Sequence, residues 1–264
     1  MLETERRTRL VEHLRADGRA SVAELADDLG VTPSTIRRDL QRLAREGRVV
    51  RTYGGAALSA ATAGSTGSLR GDPQLDAKRA IARAAAARVA DDSTIAIASG
   101  TTTLAFAREI AHRRLTVITN ALDIANVLLD RDGIELIVLG GVVRPRMHSM
   151  LGHLAELSMR ELRADTLFMG IGAISLEQGL MNDSVPEILT DRALAQMSRS
   201  VVVLADATKF EQVAPGFVFG LDEVDVLVTD DAAPAGTLDA LRRRGIDVEA
   251  VPVPGRPERA EAGR

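Results

Sequence analysis

Residues 31–46 of this 264-residue chain read VTPSTIRRDLQRLARE. Thr32 suits the N-cap of a helix and Pro33 its first position. Ile36, Leu40 and Leu43 recur at the spacing that places side chains on one helix face, so the pattern predicts a helix with an apolar side. The remaining surface carries arginines and small hydroxyl groups, as in helices that enter the major groove of DNA. For this segment alone, a charged surface helix is an equal alternative.

The sequence on either side favours the DNA-binding interpretation. A first helix is expected over residues 4–16. Ser21-Val22-Ala23-Glu24 has the S-x-x-E pattern of a capping box and opens a second helix, which Gly30 ends. A tight glycine turn between two short helices is typical of a helix-turn-helix. After the third helix, residues 48–53 read as a strand and Gly54-Gly55 as a hairpin turn, which together predict a wing.

Positive charge is concentrated on this part of an acidic protein. The chain has a formal net charge of −4, yet arginines outnumber acids over residues 1–56 and most strongly over residues 32–51. Such focusing attracts a polyanion locally while the rest of the surface repels it. Residues 1–56 are therefore expected to form a winged helix-turn-helix DNA-binding domain.

The motifs of this segment are those of a known family. They are Glu5-Arg6, Gly18, the run Ser21–Ala26, Val31, the run Thr35–Leu40, Leu43, Gly47 and Gly54-Gly55-Ala56. By these motifs, residues 1–56 resemble the N-terminal winged helix-turn-helix of the DeoR family. Two positions depart from the family pattern: Tyr53 replaces a histidine, and Thr32-Pro33 replaces a serine followed by an acid.

Helix geometry assigns roles within this domain. Side chains in the first two turns of the third helix usually reach base edges, whereas later arginines and the wing grip phosphates. For Arg42, an ion pair with Asp39, worth ~0.2–0.5 kcal/mol, is an equal alternative. The candidate DNA-binding residues are Ser34, Thr35, Arg37, Arg38, Arg42, Arg48, Arg51, Tyr53, Gly54 and Gly55.

Composition excludes several other classes of protein. The chain has no cysteine, so it has neither a disulfide framework nor a thiolate metal site, and its four histidines show no familiar metal spacing. The N-terminus is polar and no apolar run approaches the ~18–20 residues of a membrane span, so a cytoplasmic protein is expected. No metal and no cofactor are predicted.

A linker and an α/β domain are expected to follow. Residues 57–76 are rich in Ala, Ser, Thr and Gly and predict a flexible linker, and residues 253–264 predict a flexible tail. Strand-like and helical patterns alternate over residues 77–252, which predicts a mostly parallel sheet covered on both faces. The predicted strands are 94–98, 115–119, 134–139, 166–170, 200–205, 225–229 and 246–251. The predicted helices are 78–90, 103–112, 122–129, 153–162, 187–199 and 237–244.

Small or polar residues follow five of these strands. Ligands of such sheets bind beyond the carboxyl ends of the strands, so we expect these residues to converge on one rim. Residues 99–103 offer amides, hydroxyls and a helix N-terminus that suit a phosphate, although this loop alone is equally compatible with an ordinary N-cap. Lys209 is one of only two lysines among the 33 basic residues, and its ammonium suits a phosphate or a sugar oxygen beside Asp206. The candidates at the rim are Ser99, Gly100, Thr101, Thr102, Thr103, Asn120, Gly140, Gly141, Gly170, Gly172, Asp206 and Lys209.

This second segment also carries family motifs. They are the runs Gly100–Ala105, Leu115–Asn120, Leu139–Gly141 and Leu204–Phe210, with Ser149, Gly152, Asp165, Phe168, Gly170 and Glu187. By these motifs, residues 77–251 resemble the DeoR-type sensor domain, which shares the ribose-5-phosphate isomerase-like fold. The resemblance implies that the rim, with Glu187, binds a phosphorylated sugar or polyol.

Two departures concern charges near this rim. Ala98 stands where the family has an aspartate, and Asp191 stands where it has a lysine. Arg192, Arg144 and Arg146 are candidates for the missing positive charge. We therefore expect a different or weakened effector site.

The leading hypothesis is a DNA-binding transcriptional regulator, most simply a repressor of carbohydrate metabolism genes that acts as a homo-oligomer on a double-stranded operator. The rival hypothesis is a sugar-phosphate isomerase whose base and acid come from Glu187, Asp206 and Lys209. The D-G-A-D-E type motif of such isomerases is absent, since residues 165–170 read DTLFMG. A third hypothesis, a dinucleotide-dependent oxidoreductase, is excluded because no G-x-G-x-x-G motif follows the first strand of the sheet.

Overall fold

The computed structural model describes residues 6, 7, 9–11, 13, 14, 19–45, 49–52, 55–58, 72–145 and 147–254. The chain divides into two compact units. The first comprises Met1–Leu75 and Arg144–His148, and the second comprises Asp76–Val143 and Ser149–Arg264.

The first unit contains the predicted helix-turn-helix. The described residues between 6 and 14 are helical, and they precede helices α1 (Val22–Leu29) and α2 (Pro33–Arg45). The capping box is confirmed, since the Ser21 amide donates to Glu24 Oε2 at 2.8 Å and the Glu24 amide donates to Ser21 Oγ at 3.2 Å. Gly30 ends α1 with φ of 63°, a left-handed conformation that suits glycine.

One apolar core joins these helices. Ile36, Leu40 and Leu43, the predicted inner face of α2, are buried against Leu10, Leu14 and Leu25 from the two preceding helices. Burying a side chain of this size contributes ~1.5–3 kcal/mol. The inner face of α2 is thus fixed by packing, and its opposite face is left to solvent.

A three-stranded antiparallel sheet completes this unit. Its strands are β1 (Arg19–Ser21), β2 (Val49–Thr52) and β3 (Gly55–Leu58), in the order β1-β3-β2. The β2–β3 hairpin confirms the predicted wing, but Gly55, which was predicted to lie in its turn, is the first residue of β3 and pairs with Thr52. Strand β1 is too short to leave a sequence pattern. A side chain at position 55 would collide with the Ala20 carbonyl on β1, so glycine is required there for the close approach of the strands.

The second unit is built on a parallel sheet. Its strands, with those of two smaller sheets, are β4 (Thr94–Ile97), β5 (Leu115–Thr119), β6 (Ile134–Val138), β7 (Val142–Arg144), β8 (Ser149–Leu151), β9 (Ala164–Gly170), β10 (Ala173–Ser175), β11 (Gly179–Asn182), β12 (Ser198–Leu204), β13 (Gly216–Phe219), β14 (Val226–Asp230) and β15 (Asp247–Val251). The main sheet has the order β15-β14-β12-β9-β4-β5-β6, and all of its pairings are parallel. All seven predicted strands are confirmed, each within two residues of its predicted ends.

Helices pack on this sheet. They are α3 (Leu75–Ala87), α4 (Thr101–Ile110), α5 (Leu122–Leu128), α6 (His153–Arg160), α7 (Val185–Met197) and α8 (Ala235–Arg243), with short 3-10 helices at Ala207–Phe210 and Leu221–Glu223. In the core, the rings of Phe106 on α4 and Phe168 on β9 stack with centroids 4.3 Å apart. None of the helices in the described ranges is long and apolar enough to cross a membrane.

The predicted linker is shorter than expected at both ends. Strand β3 extends to Leu58, and α3 begins at Leu75 rather than at the predicted Lys78. Asp72 orders the turn before this helix, because its side chain accepts a hydrogen bond from the Gln74 amide at 2.8 Å and its carbonyl accepts one from the Leu75 amide at 3.1 Å. Residues 59–71, and residues 255–264 of the predicted tail, lie outside the described residues.

Two small sheets, one of them antiparallel, were not predicted. One has the order β10-β11-β13 and the other pairs β7 with β8. Their strands have only three or four residues, too few for an alternating pattern to be recognised in the sequence.

Candidate nucleic-acid interface and effector site

The outer face of α2 presents positive charge to solvent. Arg37 and Arg38 are exposed, as is Ser34 one turn earlier, while Ile36 and Leu40 on the opposite face are buried. No hydrogen bond or ion pair occupies either guanidinium within the described residues. Both arginines are therefore available to a nucleic acid without breaking an internal contact.

Hydroxyl groups organise the first turn of α2. Thr32 Oγ1 lies 2.8 Å from Ser34 Oγ and 3.0 Å from Thr35 Oγ1, and it accepts a hydrogen bond from the Thr35 amide at 3.4 Å. Thr32 is thus the predicted N-cap, and Ser34 and Thr35 are held in place at the end of the helix that is expected to meet base edges.

A buried ion pair fixes α2, and sequence reasoning missed it. The Arg6 guanidinium donates from Nε to Asp39 Oδ2 at 2.6 Å, and Asp39 is only 3% exposed. Asp39 therefore ties α2 to the first helix, so its suggested pairing with Arg42 is not its principal contact. The two residues are 33 positions apart in the chain, and no local pattern joins them.

Most of the wing residues that were predicted to contact DNA lie outside the described residues. Arg48, Tyr53 and Gly54 belong to that group, and of Arg51 only the backbone, within β2, is described. Arg42 is exposed on α2, on the same side as Arg38. The phosphate-gripping role of these residues stays a prediction.

In the second unit, the sheet order brings the predicted rim together. Strands β12, β9, β4, β5 and β6 are consecutive neighbours, and they are the five strands whose carboxyl ends carry the candidate residues. Because parallel strands end on the same edge, the loops after them adjoin one another. Of the other candidate residues, Thr101, Thr102 and Thr103 lie in the first turn of α4, and Glu187 lies on α7.

The loop after β4 is built around a helix N-terminus and a lysine. Gly100 has φ of 156° and directly precedes α4, and its carbonyl accepts a hydrogen bond from Thr103 Oγ1 at 3.0 Å. The Lys78 ammonium on α3 donates to Thr101 Oγ1 at 2.9 Å. A largely buried positive charge therefore lies at the N-terminus of α4, beside Thr101. Lys78 was not among the predicted site residues, although it is one of only two lysines in the chain.

The loops after β5 and β6 meet strand β8. Asn120 donates from Nδ2 to the Met150 carbonyl at 3.3 Å, while its Oδ1 is buried and has no partner within the described residues. A side chain at Gly141, whose φ is 143°, would lie 2.5 Å from the Leu151 carbonyl. The need for glycine at position 141 therefore comes from packing on β8.

Two buried carboxylates lie one turn apart on α7. Ser149 Oγ donates to Glu187 Oε1 at 3.0 Å. Asn182 donates from Nδ2 to Asp191 Oδ2 at 2.7 Å, and Asn182 Oδ1 accepts from the Gly172 amide at 2.7 Å. The pKa of Asp191 is raised to about 7, mainly by burial and also by the nearby Glu187 carboxylate, while the hydrogen bond from Asn182 lowers it. Two predicted site residues therefore interact with Asp191. Gly172 is connected to it through the side chain of Asn182, and Glu187 acts on it through charge repulsion.

Asp206 and Lys209, which follow β12, differ in their contacts. Asp206 is buried and caps the 3-10 helix, accepting from the Thr208 amide at 3.1 Å and from the Thr208 hydroxyl. Lys209 is half-buried, and its ammonium makes no hydrogen bond or ion pair in the described part of the chain. The Lys209 amide donates to the Asp206 carbonyl at 3.0 Å, which holds the two residues next to each other at the start of the 3-10 helix.

Arg192 does not supply the positive charge missing at position 191, so that suggestion was wrong. Its guanidinium donates to the carbonyls of Val218 at 2.6 Å and Phe217 at 2.9 Å, and it lies over the Phe217 ring. Positions 191 and 192 point in different directions because successive helical residues are rotated by ~100°. Arg144 ends β7, and Arg146 is outside the described residues.

No group of three or more potential metal ligands occurs among the described residues. The site is accordingly one of hydroxyls, amides, two lysines and buried carboxylates. Such a set can bind a phosphate and hydroxyl groups through hydrogen bonds and charge.

Comparison with known proteins covers both units. The family model described as the DeoR-like helix-turn-helix domain matches residues 6–62, and that described as the DeoR C terminal sensor domain matches residues 73–231. The glycerol-3-phosphate regulon repressor of Escherichia coli (strain K12) is 31% identical over 94% of this chain and 99% of its own. A putative aga operon transcriptional repressor of Escherichia coli O157:H7 is 32% identical over 93% of each chain.

Among solved structures, ribose 5-phosphate isomerase A from Methanocaldococcus jannaschii is similar over 52% of this chain and 55% of its own, with a TM-score of 0.40 and 18% identity. The relatives that match over nearly the whole chain are named as transcriptional repressors rather than enzymes.

Proposed function

We propose a function from one established premise: this chain belongs to the DeoR family of transcriptional regulators. It is a DNA-binding regulator and not an enzyme. The finer proposal is that it represses genes of carbohydrate metabolism and that a phosphorylated sugar or polyol, bound at the rim of the second unit, changes its affinity for DNA.

The DNA-binding part rests on the surface of α2. Arg37 and Arg38 are exposed on a helix whose inner face is buried and whose Asp39 is tied to Arg6. A rigid helix with free guanidinium groups is suited to guanine edges, which arginine contacts through two hydrogen bonds. We assign base contacts to Ser34, Thr35, Arg37 and Arg38, and phosphate contacts to Arg42 and the wing.

The effector part rests on one observation, the Lys78 ammonium held 2.9 Å from Thr101 Oγ1 at the N-terminus of α4. A buried lysine, a hydroxyl and the positive end of a helix together favour a dianionic group such as a phosphate. Asn120, with one unsatisfied buried oxygen, offers an acceptor for a sugar hydroxyl near the same edge of the sheet. The names of two relatives, which refer to glycerol 3-phosphate and to the aga operon, support a carbohydrate-related effector.

Two further features belong to this proposal. One winged domain covers only a short half-site, so two or more copies are expected to act together on a repeated or palindromic operator. As a regulator of transcription, the protein is assigned to the cytoplasm.

A thermal-shift screen against sugar phosphates, polyol phosphates and the corresponding unphosphorylated compounds tests the effector assignment. A specific ligand at 100 times its dissociation constant stabilises the native state by ~2.7 kcal/mol, which is a readily measured rise in melting temperature. We expect phosphorylated compounds to raise the melting temperature and their unphosphorylated counterparts to leave it unchanged. If no phosphorylated compound raises it, the phosphate assignment is wrong.

A further inference from the structure

A buried stripe of polar side chains runs along the first two turns of α7. Ser184, Glu187 and Asp191 recur three and four residues apart, which places them on one face of the helix. They are 8%, 6% and 8% exposed. Helix α7 packs against β8, β9 and β11, so the stripe lies within the second unit. Buried polar groups require partners, and the partners that these groups have or lack indicate what the stripe can bind.

Asp191 is held by an amide and by no cation. The Gly172 amide donates to Asn182 Oδ1 at 2.7 Å, which fixes the orientation of the Asn182 side chain and turns its Nδ2 toward Asp191 Oδ2, again at 2.7 Å. A side chain at position 172 would lie 3.0 Å from Asn182 Oδ1, so glycine preserves this arrangement. Burial, and then repulsion from the Glu187 carboxylate, raise the pKa of Asp191. Among the described residues, no positive charge balances that of Asp191.

Two other buried oxygens close to these carboxylates have no partner within the described part of the chain. Ser184 Oγ lies at the N-terminus of α7 and makes no capping bond. Asn120 Oδ1 lies on the loop after β5, while Nδ2 of the same side chain is bound to the Met150 carbonyl. Met150 directly follows Ser149, whose hydroxyl donates to Glu187. An unsatisfied buried polar atom is costly, so a ligand that supplies hydrogen-bond donors here gains affinity.

We propose that this region is a subsite for a protonated amine, and that the effector is a phosphorylated sugar with a free amino group. The inference rests on the proposed function in one respect, namely that the phosphate binds beside Lys78 and Thr101. An ammonium has three N–H donors and no acceptor, so it matches a region rich in carboxylate and amide oxygens. Its charge also offsets the repulsion between Asp191 and Glu187, which a neutral hydroxyl does not.

The topology of the sheet allows one small molecule to reach both subsites. The phosphate loop follows β4, and Gly172 follows β9, which is the neighbouring strand. Asn120 follows β5, the neighbour of β4 on its other side. Adjacent strands lie ~4.8 Å apart, so the loops after them are within the span of a hexose phosphate. A ligand with its phosphate at the N-terminus of α4 can therefore place an amine beside α7.

Isothermal titration of the parent protein with matched pairs of compounds tests the amine subsite. The pairs are glucosamine 6-phosphate with glucose 6-phosphate, and galactosamine 6-phosphate with galactose 6-phosphate, at about pH 7, where the amines are mostly protonated. In at least one pair the amine is expected to bind about tenfold more tightly, because a charge-assisted hydrogen bond is roughly twice as strong as a neutral one. N-acetylglucosamine 6-phosphate, whose nitrogen is a neutral amide, should bind no better than glucose 6-phosphate.

A substitution that keeps the shape of the side chain locates the preference. Asp191→Asn removes the charge and should abolish the preference for the amine, while the affinity for the neutral compound stays the same. The matched control is Asp183→Asn, which makes the same change at an exposed position just before the N-cap of α7 and should keep the preference.

The outcomes separate this inference from the proposed function. Equal affinities within both pairs, tighter binding of the neutral compounds, or a preference that survives Asp191→Asn would overturn the amine subsite and leave the phosphate assignment standing. If no phosphorylated compound binds, in these pairs or in the wider thermal-shift screen, the proposed effector site and the amine subsite are both wrong.

Discussion

The Lys78 ammonium lies 2.9 Å from Thr101 Oγ1, which joins α3 to the first residue of α4. This contact places one of the two lysines of the chain at the loop where a phosphate is expected. It also explains why a largely buried lysine is retained on a helix whose other buried residues are mostly alanine. A charge-assisted hydrogen bond of this kind contributes ~1.5–3 kcal/mol.

Replacing Lys78 is expected to weaken effector binding and leave DNA binding intact. Lys78→Met keeps the length of the side chain and removes its charge, so the dissociation constant of the phosphorylated effector should rise about 10–100-fold, at tenfold per ~1.4 kcal/mol. Isothermal titration with the compound that most stabilises the parent protein measures this change. Arg79→Met, at an exposed position on the same helix, is the control and should bind like the parent. Equal affinities in the two variants would remove Lys78 from the site.

Asp191 makes the stability of the second unit depend on pH. Its pKa is about 7 in the native state, against an ordinary 3.8, so between these values the native protein binds more protons than the unfolded chain. Stability from this group is therefore lost as pH rises from about 4 to 7, by on the order of 4 kcal/mol at ~1.4 kcal/mol per pKa unit. Asp191→Asn retains an acceptor for Asn182 and abolishes the ionisation.

Urea unfolding followed by far-UV circular dichroism at several pH values compares Asp191→Asn with the parent. The two proteins should be equally stable near pH 4, and the variant should be the more stable at pH 8. A constant difference across this range would show that Asp191 ionises normally. Asp231→Asn, a substitution at an exposed aspartate, serves as the control.

The ion pair of Arg6 with Asp39 predicts an asymmetric effect of substitution. Arg6→Leu leaves the Asp39 carboxylate buried without its partner and should cost ~3–5 kcal/mol in the stability of the first unit, whereas the double variant Arg6→Leu/Asp39→Leu should recover most of it. Hydrogen exchange of the α2 amides and urea unfolding both report this loss. If Arg6→Leu were as stable as the double variant, the pair would not hold α2 in place.

Arg37 and Arg42 should differ in their effects on DNA binding. Arg37→Ala, which removes a base contact, should weaken binding to the preferred operator by about 1–3 kcal/mol and binding to a scrambled sequence much less. Arg42→Ala, which removes a phosphate contact, should weaken binding to both and reduce the slope of log K against log salt by about 1. Fluorescence anisotropy with both duplexes from ~50 to 200 mM salt distinguishes the two. Identical behaviour of the two variants would contradict these roles.

Local patterns predicted the elements of this fold well. The S-x-x-E box at Ser21–Glu24, the glycine at position 30 and the apolar period of α2 each depend on neighbours within a few residues, and each is confirmed. The seven strands of the main sheet could be recognised because each is a continuous apolar run between loop signals. The convergence of the five strand ends could also be predicted, because the carboxyl ends of parallel strands lie along one edge of the sheet.

The contacts that define the site could not be predicted in this way. Lys78 and Thr101 are 23 positions apart, and Arg6 and Asp39 are 33 apart, so only the packing of whole helices brings them together. Arg192 was considered as a replacement for a cation one position earlier, but helical rotation points it at the β13 carbonyls instead. Asp206 carried a motif that indicated ligand binding, yet its carboxylate is used to cap a 3-10 helix.

Coupling between the effector and DNA tests the central claim most directly. The affinity of the full chain for its own promoter fragment is measured by fluorescence anisotropy with and without the phosphorylated compound that stabilises it. Allosteric coupling of ~1–3 kcal/mol predicts a change of about 5–150-fold in the dissociation constant, and Lys209→Ala should lose this change while binding DNA normally. A dissociation constant that stays the same when the compound is bound would contradict a regulator controlled from the rim of its second unit.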